Sequence, residues 1–210
     1  MNVTELRRFL AEIPVVMLGM IYLITLIGSM LFYLIPIQLP FYLQTVAAVS
    51  GTLTGFILAS YNVTAMIFSS QFQRFKAQFG IVLLIALVFG LMGAGYVIIS
   101  LSSAALGIVI GLLIAGFGWG LLIPTTNTWV SQTVTQARRG RALGWVSSMI
   151  FLGQFLSPIL SQPIIERVSL AITYEIAGVV MLLLTVVFVV GHRRYTSSGR
   201  NVPQPSSDTE

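Results

Sequence analysis

Few residues in this chain of 210 can do chemistry, and almost all of those lie uncharged inside apolar runs. Tyr22, Thr25, Ser29 and Tyr33 follow one another at steps of three, four and four. That spacing places them on one face of a helix. Asn62, Asn127, Gln154 and Ser161 stand in other apolar runs. Such groups hydrogen-bond a solute or a neighbouring helix, and none has an acid or base beside it. Glu175 is the one acid inside an apolar run, a turn or so from its start, where a carboxylate reaches the headgroups. His192 is the single histidine and adjoins Arg193 and Arg194, where a cation suits a helix end. Cysteine is absent, there is no His-Glu-x-x-His pair, and the one lysine, Lys76, follows Phe75 rather than a phosphate-binding glycine. The pattern calls for no metal and no other cofactor, excludes ATP-driven transport by this chain alone, and reads as no enzyme. It also lacks the Asn-Pro-Ala motif of a water channel and the acid ring of a cation channel.

The elements that carry these residues follow from composition. Hydrophobic residues make up 56% and charged residues 8%. A soluble surface draws on about 25% charged residues, so this chain is integral to a membrane. Its apolar runs are long and continuous, which makes the spans helices rather than barrel strands. The fold class is therefore all-α, with six transmembrane helices. They are expected at about 14–35, 46–70, 79–100, 105–130, 142–163 and 170–191. A lead-in at 1–13 and a disordered tail at 192–210 flank them, and turns are expected at 36–44 and 71–78.

Charge sets the topology. The net charge is +5, but the basic residues sit in short turns, which points to lipid headgroups and not to nucleic acid. Arg74 and Lys76 follow the second span, and Arg138, Arg139 and Arg141 join the fourth to the fifth. With Arg7, Arg8, Arg193, Arg194 and Arg200, they fall on one side of the membrane, and Arg167 alone falls on the other. The positive-inside rule then predicts both termini in the cytoplasm of a multi-pass cell-membrane protein, such as one of a bacterial inner membrane.

Gly51, Gly55 and Ala59 form a small-residue ridge on span 2, and Gly107, Gly111 and Ala115 form one on span 4, both read as close-packing faces. Pro124 is expected to kink span 4. Span 3 is nearly all apolar and reads as lipid-facing. For any single polar residue, a bond between helices is the commoner use. Polar faces on spans 1, 2, 4 and 5, beside a bare span 3, favour a shared cavity.

The order Gly116-x-Gly118-x-Gly120, Pro124, Asn127, Arg139-Gly140-Arg141-Ala142-x-Gly144, then Gly153-Gln154-Phe155-x-Ser157-Pro158 resembles the major facilitator superfamily. It is similar to helices 10 and 11 in the carboxy-terminal half of efflux-type permeases. The resemblance implies one six-helix half of a twelve-helix fold, with its first, second, fourth and fifth helices around a cavity. Tyr22, Thr25, Ser29, Tyr33, Asn62, Asn127, Gln154 and Ser161 would then line the solute pathway. Arg74, Lys76, Arg138, Arg139 and Arg141 would bias a cytoplasmic gate. The family's Gly-x-x-x-Asp-Arg-x-Gly-Arg pattern after span 2 keeps Arg74, Lys76 and Gly80 here but has no aspartate. The function implied is efflux of small organic solutes by alternating access. The implied partners are membrane lipids, a small-molecule substrate and a second six-helix half, from another chain or a second copy. The alternative is a membrane remnant or assembly protein that transports nothing.

Overall fold

The computed structural model describes residues 15–45 and 48–198, and every regular element among them is a helix. α1 (Val15–Phe32) and α2 (Leu34–Thr45) meet at a one-residue break at Tyr33 and together form the first span. The other five spans are α3 (Gly51–Ser70), α4 (Phe72–Leu101), α5 (Ala105–Thr133), α6 (Gln136–Arg167) and α7 (Leu170–Ser198). All six are long and apolar enough to cross a bilayer. The expected lead-in lies outside the described residues. The expected tail is helical as far as Ser198, and 199–210 lie outside the described residues.

Local chemistry fixes the ends. Ser50 and Ser169 each accept a backbone N–H three residues on, from Leu53 at 3.4 Å and from Ile172 at 3.2 Å, and so cap α3 and α7. The expected turn at 36–44 is instead helical. Pro36 sits in the first turn of α2, where a missing N–H costs nothing within that helix, and Pro40 is carried further along. The expected turn at 71–78 is also helical. The break comes at Gly80, whose φ of 68° and ψ of 175° suit glycine alone. Residues 72–79 form a short arm that sets Phe75 edge-on to Phe117 at 5.2 Å. α5 runs through Pro124 as one continuous helix.

The break in the first span leaves the Phe32 carbonyl without its helical donor, because Pro36 has no N–H to offer it. Two buried phenols donate to the main chain around this break. The Tyr96 hydroxyl of α4 donates to the carbonyls of Leu31 at 2.5 Å and Phe32 at 3.4 Å. The Tyr174 hydroxyl of α7 donates to that of Leu34 at 3.0 Å. Tyr42 of α2 reaches the Ser102 carbonyl at 3.2 Å, and its ring meets Tyr174 edge-on.

These bonds require α4 inside the bundle, which corrects the expectation that it faces lipid. Leu84, Ile85, Val88, Phe89, Met92 and Ile99 are fully buried along it. Its partners are α5 on one flank and α7 on the other. Glycines set the spacing. A Cβ on Gly111 would stand 2.6 Å from the Gly95 carbonyl oxygen, and one on Gly93 would stand 2.9 Å from that of Gly178. Gly116 and Gly120 let α5 touch the α3 backbone at Tyr61 and Ala65, and Gly153 lets α6 touch α1 at Leu26. Gly51 and Gly55 have nothing within 4 Å, and Gly107 faces Ser102 in its own preceding turn. Three of the four glycines expected at helix contacts are therefore elsewhere, because small size permits close approach without requiring it.

Two outcomes test this packing. Tyr96→Phe removes the phenol donor shared by two main-chain carbonyls, so the protein is expected to lose about 1–2 kcal/mol in detergent–SDS unfolding, and unchanged stability would refute the clamp. Gly111→Leu is expected to cut folded yield far more than Gly90→Leu, which would meet only the Thr185 side chain at 3.4 Å.

Candidate functional site

The six spans leave two kinds of open surface. On α7 it is aliphatic: Ile176, Val179, Leu183, Val186, Val187 and Val190 are exposed. On α3 and α6 it is mixed. Phe56 is 69% exposed, Met66 68%, Phe151 67% and Phe155 64%, and among them stand Asn62, Ser69, Ser147, Ser148 and Gln154. The unpacked glycines Gly51, Gly55 and Gly144 lie on these same two helices. The two helices differ from α4, which shows little open surface between Leu84 and Ile99.

The residues read from the sequence as a solute pathway divide between this open face and the interior. Asn62 and Gln154 are exposed, and Tyr33 and Asn127 are half-buried. The Asn62 side-chain amide donates to its own helix at the Leu58 carbonyl, 2.9 Å away. Tyr22 is half-buried, and its hydroxyl donates across to the Ala142 carbonyl of α6 at 3.2 Å. Thr25, Ser29 and Ser161 do not lie on the open face. Thr25 and Ser29 are fully buried and Ser161 nearly so. Thr25 donates back to the Ile21 carbonyl at 2.8 Å, Ser161 accepts from Gln38 at 3.5 Å, and Ser29 lies under Gly153. Their polar face is a seam between α1 and α6. A helical stripe of hydroxyls looks the same in sequence whether it meets a cavity or a neighbour.

Arg74, Lys76, Arg138, Arg139 and Arg141 stand at one end of the bundle, and Arg167 ends α6 at the other. Arg74 and Lys76 ride on the short 72–79 arm. Arg139 donates to the Ser131 carbonyl at 3.3 Å, across the turn from α5 to α6. Arg138 and Arg141 stand at a cleft of about 320 Å³ with Tyr22 and the exposed Trp145. Glu175 is exposed on α7, and His192 is half-buried with a partner in the chain.

The spacing of single polar residues did not reveal a second cavity, of about 380 Å³, between α3 and α5. Ser69, Met66, Trp119, Gly120, Pro124 and Asn127 line it. Trp119 stacks on Phe32 with centroids 3.5 Å apart and planes 10° apart, and Phe32 in turn meets Tyr33 edge-on and stacks with Tyr61. The signal was present as Gly-x-Gly-Trp-Gly four residues ahead of a proline. Glycines at 116 and 120 bring α5 against α3, and Trp119 between them is held at the cavity. The Tyr61 hydroxyl, fully buried beside this stack, has no hydrogen-bond partner among the described residues.

The comparisons agree with this architecture. The profile of the Major Facilitator Superfamily matches residues 6–209. The uncharacterized transporter YebQ of Escherichia coli (strain K12) is 30% identical over 121 residues, which cover 56% of this chain and 26% of YebQ. Among solved structures, the POT family transporter PepTSo superposes with a TM-score of 0.69 at 18% identity, over 92% of this chain and 39% of that one. The xylose transporter XylE from E. coli, in its inward-open form, superposes with a TM-score of 0.64 at 19% identity, over 81% and 47%. The chain therefore spans about a quarter of the curated relative and less than half of each of these two structures.

Proposed function

Because the chain belongs to the major facilitator superfamily, as a multi-pass membrane protein of a transporter family, we propose that it is one six-helix half of a secondary transporter that moves small organic solutes outward by alternating access. The observation that carries the reading is the contrast between the two open surfaces. Aliphatic α7 matches lipid tails. The amides and hydroxyls of α3 and α6 do not, since a lipid tail cannot hydrogen-bond Asn or Gln. A second half, from another chain or a second copy, covers that face and encloses a wet site near the membrane centre. The two halves of such a fold share one orientation, so a parallel pair is geometrically allowed. Both termini and the arginine-bearing end lie in the cytoplasm, where Arg74, Lys76, Arg138, Arg139 and Arg141 meet the partner half or anionic headgroups as the gate opens and shuts.

The Cys-free sequence makes the tests direct. Cysteines at Asn62 and Gln154 are expected to crosslink to a second half, and one at Val187 on the aliphatic face is not. Crosslinks from Val187 alone would reverse the assignment of faces. A cysteine at Ser103 is expected to react with an impermeant reagent from outside, and one at Gln136 is not. Gln154→Ala is expected to lower efflux of an organic dye several-fold at unchanged membrane abundance, a loss of about 1 kcal/mol in a solute contact. A chain that stays monomeric and moves no dye in any pairing would favour the non-transporting alternative.

A further inference from the structure

The cavity between α3 and α5 has a particular chemistry. No charged side chain lines it. Its polar groups are the Ser69 hydroxyl, the Asn127 amide and the main chain at Gly120. That main chain is unusual. In a continuous helix the Gly120 carbonyl accepts from the N–H four residues on, and that residue is Pro124, which has none. Gly120 and Pro124 both line the cavity, so an acceptor without its helical donor belongs to the wall. The Trp119 indole is the flat part of that wall. Phe32 stacks against it, which fixes the plane of the ring.

We propose that this cavity takes an uncharged, flat aromatic molecule carrying one hydrogen-bond donor, of the phenol or indole class. The inference rests on the reading of this face as a solute path and narrows it to a substrate class. The ring stacks on Trp119 at little entropic cost, because both surfaces are rigid. The donor goes to the Gly120 carbonyl, with Asn127 or Ser69 as a second contact. Charge decides against the other classes. A cation in the cavity would have no carboxylate, and an anion no basic side chain, to offset its desolvation. A donor-free ring would leave the Gly120 carbonyl unpaired away from water, which is how polar sites reject apolar analogues.

The experiment uses the whole chain in nanodiscs and reads quenching of tryptophan fluorescence by nitroaromatic probes, the part owed to Trp119 rather than Trp129 or Trp145 being the part that Trp119→Phe removes. The probes are para-nitrophenol below its pKa, para-nitroanisole, which has the same ring without a donor, and the para-nitrophenolate anion. Wild type is expected to bind neutral nitrophenol about tenfold more tightly than either of the others. Pro124→Ala restores an N–H opposite Gly120 and is expected to bring nitrophenol down to the level of nitroanisole. Trp119→Phe is expected to remove the saturable signal for both. Equal affinities in wild type, or a preference unchanged in Pro124→Ala, would overturn the proposal. If that variant fails to fold, Pro124→Leu, which restores the same N–H, serves instead, and a preference it leaves intact counts against the site in the same way. Binding is read without transport. A preference in a chain that moves no solute would sink the transporter reading alone, and transport without the preference would sink this inference alone.

Discussion

Everything in this bundle depends on satisfying the main chain where the first span breaks. A bilayer interior offers no water, so a carbonyl released there must find a donor within the protein. Pro36 removes the helical donor of the Phe32 carbonyl, the Tyr96 hydroxyl reaches that carbonyl from α4, and the Tyr174 hydroxyl reaches the nearby Leu34 carbonyl from α7. That requirement fixes more than one bond. It draws α4 and α7 against the joint of α1 and α2, and the edge-on contact of the two phenol rings, 5.4 Å between centroids, ties α4 to α7 there. The glycine pairs Gly95–Gly111 and Gly93–Gly178 then bring α4 close enough to α5 and α7 for the rings to reach.

The number of spans and their helical character were legible in the sequence, because length and apolarity decide them. The inner arrangement was not. In water, an apolar segment is an inside segment. In a bilayer both the lipid and the protein interior are apolar, so a bare span such as α4 carries no address. Tyr96 was the available clue: it is the one tyrosine of a nearly all-apolar span, and the partners of its hydroxyl are main-chain carbonyls of the first span. The small-residue ridges were ambiguous for a related reason. Gly111 lies at a backbone contact, whereas Gly51 and Gly55, spaced just as regularly, lie on an open face.

The candidate site was legible in part. Asn127 was visible as an amide in an apolar run, but the hydroxyl stripe of the first span belongs to a helix seam. Serine and threonine can spend their hydroxyls on their own helix, as Thr25, Thr125 and Thr126 do at the carbonyls of Ile21, Leu121 and Leu122. Such a residue is polar in sequence and chemically quiet in the fold. What marks the cavity is backbone and ring: a proline that withholds a donor, and a tryptophan between two glycines.

The open face of α3 and α6 follows from the same rule as the tyrosine clamp. Among the described residues, the buried side-chain polar atoms have hydrogen-bond partners except at Ser29, Tyr61 and Ser157. On α3 and α6 the amides Asn62 and Gln154 are exposed instead, among phenylalanine rings. α7 shows that this chain builds a lipid-compatible surface from Val, Ile and Leu where one is wanted. α3 and α6 depart from that pattern, and both carry glycines, Gly51, Gly55 and Gly144, with room for a backbone to approach.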